Sequence, residues 1–392
     1  MKSLKLWWYN IASGRQLGFF GLIAFPILWL LSLLYRLILL LRAFFYKCGL
    51  IKTTKLPCPV ISIGNITVGG TGKTPMTEYL AKYFAGKNKK VVVLSRGYGK
   101  IANKEIASPP DGHRGGRNDM LQKDDEGISV SSNLIIRLTG ANRSKLGQEA
   151  IAKYSLRCSD TERPVSSGGV GAPDVILLDD GFQHWTVARD LNIVMIDCLN
   201  PFGNWCLLPA GILREPLSAL KRADIFILAH TDLVTAEKLA QVIQYLSHLG
   251  KPVIKSIHKP IGFISPSEQT TSSNKMITTP SPPLIRGNLA EGSKSWAFCG
   301  IGNPDSFRLT LEKAGLSLVG FTAFPDHYQY KAEDIKRIES LAAKSGAECI
   351  VTTRKDMVKV VDCGAQLPLY ALQIELVIIE GKEKLEEMLG RR

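Results

Sequence analysis

Short, continuous apolar runs recur along the chain, separated by polar, glycine-rich or proline-rich stretches. Runs of this kind, rich in Val and Ile, are typical of strands buried on both faces of a parallel sheet. They occupy Val60–Ile63, Val91–Leu94, Val175–Leu178, Ile193–Asp197 and Ile225–Ala229. Helix-compatible segments lie between them, without hairpin signals. The pattern therefore predicts an α/β fold with a mostly parallel sheet and helices on both faces.

The same alternation resumes after residues 265–293, a stretch rich in Ser, Thr, Pro and Gly that has no periodicity. Strand candidates follow at Trp296–Cys299, Leu318–Ala323, Cys349–Thr352 and near Leu369–Ile374. This interruption predicts two globular units. We expect an N-terminal helical segment at 1–55, a main α/β domain at 56–260, a flexible linker at 261–294 and a smaller α/β domain at 295–392.

An uncharged apolar run from Leu17 to Tyr35 is about as long as a helix that crosses a bilayer. Basic residues flank both ends and are more numerous after the run, which favours a cytoplasmic location for the rest of the chain. One alternative is a cleaved signal peptide, although no small-x-small cleavage site follows. Another is a buried core helix. Pro26 and the nearby arginines leave open whether the segment spans the membrane or lies in its surface.

A glycine-rich turn joins the first apolar run to the first helical segment. It reads Thr67-Val68-Gly69-Gly70-Thr71-Gly72-Lys73-Thr74, close to the G-x-x-x-x-G-K-[ST] pattern of phosphate-binding loops, with Thr67 in the first glycine position. Glycines let main-chain N–H groups face phosphate oxygens, and the following helix directs its positive dipole end at the same anion. Lys73 would then reach the β- and γ-phosphates, and Thr74 a Mg²⁺ ion. The alternative is a glycine-rich β-turn with an exposed lysine.

A second part of a nucleotide site follows the run Val175–Leu178, which ends in Asp179 and Asp180. In P-loop proteins a carboxylate at a strand end holds Mg²⁺, directly or through water. Arg214 lies in a loop where it is placed to meet an anion, and a structural ion pair is an equal alternative. With the phosphate loop, these residues predict a P-loop NTPase-like fold.

The composition adds a preference for an anionic partner. Hydrophobic residues make up 45% of the 392 positions and charged residues 21%, a globular balance, but the formal net charge is +14. Such an excess suits nucleic acid, acidic lipid or a phosphorylated substrate. Because the basic residues are dispersed and no nucleic-acid module is recognisable, we expect no nucleic-acid partner. The cysteines form no C-x-x-C pair, which indicates a reduced, cytosolic compartment.

Five stretches together resemble the tetraacyldisaccharide 4′-kinases, the lipid A kinases of Gram-negative bacteria. They are Gly64–Pro75, Ser95–Gly99, Leu178–His184, Leu208–Pro216 and Phe324–Tyr328. The resemblance covers nearly the whole chain except the inserted loops at 100–124, 155–173 and 265–293. It implies that 56–260 is a P-loop kinase domain. We expect a monomer at the cytoplasmic face of the cell inner membrane, with inner-membrane lipids as partners.

The resemblance also implies a reaction and its residues. The γ-phosphoryl group of ATP would pass to the 4′-hydroxyl of a tetraacylated glucosamine disaccharide 1-phosphate, a lipid-linked substrate, with Mg²⁺ as cofactor. Asp125 aligns with the family's catalytic Asp, although the stretch Asp124-Asp125-Glu126-Gly127 departs from the family's Gly-Asp-Glu-Pro motif at its first and last positions. Either Asp125 is the base and His327 orients it, or the roles are reversed. The implied site residues are Lys73, Arg143, Asp125 and His327 for catalysis, Gly69, Gly70, Thr71, Gly72, Lys73, Thr74, Tyr98, Gln183 and Arg214 for ATP, and Thr74, Asp179, Asp180 and Glu126 for the metal.

A membrane-associated GTPase or ATPase of the targeting type is the alternative function. Guanine-binding members of that class usually carry Asn-Lys-x-Asp after a late strand. The comparable stretch here is Ala229-His230-Thr231-Asp232, which lacks the Asn and the Lys. The missing motif argues against a GTPase, and the resemblance favours an ATP-dependent kinase.

Overall fold

The structure, a computed structural model, describes residues 2–14, 19–96, 134–140, 142–155, 173–266, 292–360 and 365–391. Three predicted site residues, Tyr98, Asp125 and Glu126, lie outside the described residues, as does most of each inserted loop.

Within the described part of the chain, eleven strands form one sheet. They are β1 Val60–Gly64, β2 Val91–Ser95, β3 Ile135–Thr139, β4 Val175–Asp179, β5 Leu191–Asp197, β6 Ile225–Ala229, β7 Val253–Ile264, β8 Lys294–Cys299, β9 Ser317–Ala323, β10 Cys349–Thr353 and β11 Leu369–Glu380. Their spatial order is β3-β2-β4-β1-β5-β6-β7-β11-β10-β8-β9. Neighbours are parallel except β7 and β11. The predicted mostly parallel α/β sheet is confirmed.

The antiparallel pair β7–β11 joins the two halves of the sheet. Its register runs from Ala371 opposite Ile264 to Glu380 opposite Lys255. Strand β7 was not predicted from the sequence, because buried and less buried positions alternate along most of it and no continuous apolar run results. The predicted domain boundary at 260 falls within β7. The division into two domains stays a prediction.

Helices cover both faces of the sheet. They are α1 Lys2–Ala12, α2 Phe19–Lys47, α3 Lys73–Gly86, α4 Arg143–Ser155, α5 Ala236–Ser247, α6 Pro304–Lys313, α7 Ala332–Lys344, α8 Arg354–Val360 and α9 Lys382–Gly390. On one face, Ile61 of β1 belongs to a buried cluster with Met76 of α3. On the opposite face, Ile176 of β4 belongs to a cluster with Ala150 of α4. Burial on both sides explains the continuously apolar strands.

Helix α2 exposes most of its apolar surface. Its segment Gly21–Lys47 has a mean hydropathy of 2.2 over the most apolar 18-residue window, of which 6% is buried, so it is long and apolar enough to cross a membrane. This is weak support for membrane association. The exposure argues against the alternative of a buried core helix.

Candidate active site

A cavity of about 760 Å³ opens between the two halves of the chain. The first half contributes the phosphate loop with Lys73, the paired aspartates and Arg214, and the second half contributes His327. The loops that leave the carboxyl ends of parallel strands meet at one edge of a sheet, which explains how residues far apart in sequence reach the same cavity. The walls of one cavity therefore contain both the predicted phosphate-binding residues and the predicted catalytic residue His327.

The phosphate loop, Thr67–Thr74, connects β1 to α3. Gly72 directly precedes the first helical residue and has a φ of 83°, in the left-handed region that favours glycine. A Cβ on Gly72 would also lie 2.9 Å from Nε2 of His258. Because α3 begins at Lys73, its unpaired N–H groups and the positive end of its dipole lie at the cavity. The loop thus has the arrangement that binds phosphate groups.

Lys73, Asp180 and Arg214 form a charged network at the cavity wall. Nη1 of Arg214 donates to both carboxylate oxygens of Asp180 at 3.0 Å, and Nζ of Lys73 lies 3.6 Å from Oδ1 of Asp180. Nη1 of the buried Arg143 donates to the main-chain oxygen of Asp180 at 3.1 Å. The side chains that line the cavity here, Lys73, Arg214 and Asp180, carry two positive charges and one negative charge, which suits a polyphosphate.

Burial and the neighbouring charges shift the pKa values in this network in opposing directions. Burial lowers the pKa of the Lys73 ammonium, an effect that the charge of Asp180 opposes. Burial alone would raise the pKa of Asp180, but the charges of Lys73 and Arg214 outweigh it and lower that pKa to about 2. Asp180 is therefore ionised at neutral pH and can hold both cations.

Asp179 lies at the end of β4, beside the first turn of α3. Its carboxylate accepts hydrogen bonds from Oγ1 of Thr74 and Oγ1 of Thr77, each at 3.4 Å. Burial raises the pKa of Asp179, whereas the charge of Lys73 opposes the shift. Hydroxyl and carboxylate oxygens side by side are the hard donors that Mg²⁺ prefers, so this pair fits the predicted ion. Thr77 was not predicted from the sequence, although its position one helical turn after Lys73 was a signal.

His327 lies in the loop after β9. Its main-chain nitrogen donates to the oxygen of Gly300 and to Oδ1 of Asp326, both at 3.0 Å. Burial and then the charge of Lys355 lower the pKa of the imidazole, against the opposing charge of Asp326. His327 is therefore neutral near pH 7 and able to accept a proton or a hydrogen bond.

A turn from the second half lies directly on the phosphate loop. A Cβ on Gly302 would be 2.4 Å from the main-chain nitrogen of Gly70, so this contact requires glycine. The side chain of Asn303 donates to Asp197 at the end of β5. The buried carboxylate of Asp356 accepts from the main-chain nitrogen of Gly300 at 2.8 Å and fixes the turn. This contact was not predicted from the sequence.

A second buried group, which was not predicted from the sequence, lies beside the phosphate loop. Nδ1 of His230 is 2.9 Å from Oδ1 of Asp197, and the rings of His230 and His258 meet edge to face with centroids 4.4 Å apart. Burial and the neighbouring His230 lower the pKa of His258 well below its usual range. Asp197 ends an apolar run as Asp179 does, so that signal was available in the sequence, whereas His258 lies in the unpredicted β7.

Gln183 and His184 lie outside the walls of the cavity. Nε2 of Gln183 donates to the main-chain oxygen of Asn65 at 2.7 Å, where β1 enters the phosphate loop. Nε2 of His184 lies 2.8 Å from Oγ1 of Thr186. Burial, followed by the charges of Arg143 and Arg189, lowers the pKa of His184 to about 4. Gln183 therefore supports the start of the phosphate loop from outside the cavity. Arg96, which precedes the segment with Tyr98, lines the cavity.

Comparison with known proteins shows the family and the fold. A family model described as tetraacyldisaccharide-1-P 4′-kinase matches residues 24–392. The chain belongs to the tetraacyldisaccharide 4′-kinase family. Two proteins named tetraacyldisaccharide 4′-kinase are similar to it. The one from Halothermothrix orenii is 35% identical over 91% of this chain and 88% of its own length, and the one from Desulfotalea psychrophila is 37% identical over 89% and 92%.

A solved structure extends the likeness to three dimensions. The crystal structure of LpxK from Aquifex aeolicus in complex with ATP has a TM-score of 0.60 and 29% identity, and the match covers 92% of this chain and 96% of that chain. The comparisons confirm the predicted 4′-kinase family, the α/β fold and the enzyme class, and they support ATP as the nucleotide. The targeting-type GTPase is not favoured.

Proposed function

We propose that this 4′-kinase transfers the γ-phosphoryl group of ATP to the 4′-hydroxyl of a tetraacylated glucosamine disaccharide 1-phosphate, a lipid A precursor. The observation that carries the proposal is a single cavity of about 760 Å³ whose walls hold the phosphate loop, the Asp180–Arg214 pair and His327. The volume suits a small-molecule site. The family supplies the identity of the acceptor.

Neutralisation of phosphate charge is the first task of the site. The main-chain N–H groups of Gly69–Gly72 and the ammonium of Lys73 would meet the β- and γ-phosphates. Arg214, held by Asp180, lies in the same wall. As the phosphoryl group leaves, negative charge spreads over its oxygens, and donors that are already in place stabilise that charge without reorganisation. Loss of one such donor costs about 100- to 1000-fold in kcat.

We assign Mg²⁺ to Thr74 and Asp179, with Glu126 as the predicted third residue. The bound ion would supply positive charge to the phosphate oxygens. Asp180 contacts Lys73 and Arg214 instead. We therefore give Asp180 the role of orienting these two cations.

Removal of the proton from the acceptor hydroxyl is the second task. A base must take it as the new P–O bond forms. We propose Asp125 as the base with His327 as its orienting partner, and the exchange of these roles is the alternative. The lowered pKa of His327 suits both, since a neutral imidazole either accepts the proton itself or shares a hydrogen bond with the carboxyl group.

We propose that the enzyme works as a monomer at the cytoplasmic face of the inner membrane, with α2 lying in the bilayer surface. Hydrogen bonds hold the middle of α2 to the body, from Ser32 to the oxygen of Leu207 and from Tyr35 to the oxygen of Arg214, each at 2.8 Å. A helix attached in this way cannot cross the bilayer along that part. Its opposite, exposed face is apolar and would enter the lipid.

The test is incubation of the purified protein with γ-labelled ATP and the disaccharide acceptor, followed by chromatography of the lipid. We expect labelled lipid that requires both the acceptor and Lys73, with Lys73→Met as the inactive control. Release of label as inorganic phosphate at the same rate with and without acceptor would contradict the proposal and favour the ATPase alternative.

A further inference from the structure

One face of α2 forms a continuous contact with two loops of the body. Its members, spaced three and four residues apart, are Ser32, Tyr35, Leu39, Arg42 and Tyr46. Such spacing places side chains on one side of a helix. Oγ of Ser32 donates to the oxygen of Leu207 at 2.8 Å and accepts from the nitrogen of Ala210 at 3.1 Å. This contact face therefore supports the loop that leads to Arg214.

Tyr35 contacts the main chain of a predicted site residue. Its hydroxyl donates to the oxygen of Arg214 at 2.8 Å, and the nitrogen of Arg214 donates to the oxygen of Ile66 at 2.7 Å. The main chain of Arg214 is thus held by α2 on one side and by the start of the phosphate loop on the other. Its guanidinium group extends to Asp180.

Arg42 makes the equivalent contact one loop away. Its guanidinium donates to the main-chain oxygen of Gln183 and lies over the ring of Trp185, 5.1 Å from the centroid. Tyr46 meets the same ring edge-on, with centroids 5.3 Å apart. Gln183 in turn donates from its side chain to the oxygen of Asn65. Two short series of hydrogen bonds therefore connect α2 to the phosphate-binding residues, one through Arg214 and one through Gln183.

We propose that Tyr35 and Arg42 are positioning residues for phosphoryl transfer. By fixing the main chain at Arg214 and Gln183 from the α2 side, they hold the Arg214–Asp180 pair and the start of the phosphate loop in place. Helix α2 is then part of the scaffold of the active site as well as a lipid-facing element. This inference rests on the role proposed above for Arg214.

The chain offers a matched control for a test. Arg36 lies on the same helix as Arg42 but is exposed, so Arg36→Met and Arg42→Met remove the same charge beside the membrane. The full-length variants Tyr35→Phe, Arg42→Met and Arg36→Met are assayed on vesicles that contain the acceptor. The measurements are kcat, the KM values for ATP and acceptor, vesicle flotation and the thermal midpoint.

We expect Tyr35→Phe and Arg42→Met to lower kcat by about 3- to 10-fold, the usual effect of one hydrogen bond. Their vesicle flotation and their KM for the acceptor should equal those of Arg36→Met. The control Arg36→Met should itself keep the kcat of the wild type. An equal loss of kcat in Arg36→Met would overturn the inference, because charge alone would then explain the effect.

A double mutant tests the path through Arg214. In an Arg214→Met background, Tyr35→Phe should cause no further loss of kcat, since the cationic group that it positions is absent. Losses that multiply would show that Tyr35 acts elsewhere and would overturn the inference. If the wild-type enzyme labels no lipid at all, the proposed function fails instead, so the two failures are distinguishable.

Discussion

Arg214 and Asp180 form an ion pair in which one guanidinium nitrogen lies 3.0 Å from each carboxylate oxygen. From sequence alone, an anion ligand and a structural ion pair were equal alternatives for Arg214. The structure contains the ion pair, and it lies in the cavity wall beside Lys73. Because Asp180 keeps both cations on the cavity side, the pair prepares the site for phosphate before a nucleotide arrives.

Replacement of each of the two adjacent aspartates should impair a different property of the enzyme. Asp179→Asn weakens the oxygen pair with Thr74, so we expect the Mg²⁺ concentration for half-maximal rate to rise by about 10- to 100-fold. Asp180→Asn leaves that pair intact and releases Lys73 and Arg214, so kcat should fall by about 100-fold without a change in the Mg²⁺ requirement. Initial rates over a Mg²⁺ titration measure both. If the Mg²⁺ requirement rose in Asp180→Asn but not in Asp179→Asn, Asp180 would be the residue that holds Mg²⁺ and Asp179 would not.

The pH dependence of the rate separates the two candidate bases. Since the pKa of His327 is lowered, its protonation should reduce the wild-type rate only below about pH 6.5. If Asp125 is the base, Asp125→Asn should lower kcat by about 100- to 10,000-fold at every pH. His327→Ala should then keep partial activity and lose the limb of the profile that His327 causes. Wild-type activity in Asp125→Asn would show that the assignment is wrong.

The sequence predicted those parts of the site that depend on local pattern. A phosphate loop needs a strand, glycines and a helix start within a short segment, so Gly72 and Lys73 could be found from neighbouring residues alone. The position of Asp179 followed from the apolar run before it. Local pattern also located strands that are buried on both faces, because most positions in them are apolar.

Features that depend on contacts between distant segments were not predictable in this way. Strand β7 is only half-buried, and its polar positions hide it from a search for apolar runs. The antiparallel pairing of β7 with β11 was therefore not predicted from the sequence, and neither was the position of His258 within β7. The contact of Gly302 with Gly70 brings together residues more than two hundred positions apart, and a short Gly-x-Gly sequence does not indicate its partner.

Acid should destabilise the fold through His184. Its pKa is lowered to about 4 from 6.5, so between those values the unfolded chain binds more protons than the native state. Stability must therefore decrease as the pH falls through that interval. We expect the urea midpoint to drop between pH 6.5 and 4, and to drop less in His184→Gln. The exposed His248→Gln is the matched control, and an unchanged pH profile in His184→Gln would contradict the prediction.

The lipid-facing surface of α2 can be altered without touching the body. Leu30, Leu37 and Leu41 are 65%, 51% and 47% exposed and lie opposite the contact face of α2. Replacement of all three by Ser removes apolar area that would enter the bilayer, so vesicle binding should weaken by more than about tenfold. The kcat on detergent-dispersed acceptor should stay unchanged.

The control for that variant is Leu341→Ser, which changes an exposed leucine of α7 far along the chain from α2. It should leave vesicle flotation at the wild-type level. If the triple variant floats as well as the wild type, α2 is not the membrane-binding element.

Gly302→Ala tests whether the contact between the two halves of the chain is needed for activity. The new Cβ would lie 2.4 Å from the main-chain nitrogen of Gly70 and 2.7 Å from Cα of Gly69, and neither atom belongs to a flexible side chain. The turn must therefore move away from the phosphate loop, which widens the cavity between Lys73 and His327. Overpacking of this kind costs about 1–3 kcal/mol, so we expect kcat/KM for ATP to fall by about 10- to 100-fold.

Gly86→Ala is the matched control, since a Cβ at that position meets nothing within 4 Å. It should keep wild-type kinetics. Binding of a fluorescent ATP analogue then locates the defect in Gly302→Ala. If the turn is not needed for nucleotide binding, the variant should bind nucleotide and turn over as the wild type does. If Gly302 is needed to complete the phosphate site, nucleotide affinity and rate should fall together. Wild-type kinetics in Gly302→Ala would mean that the phosphate loop does not need its contact with the turn at Gly302.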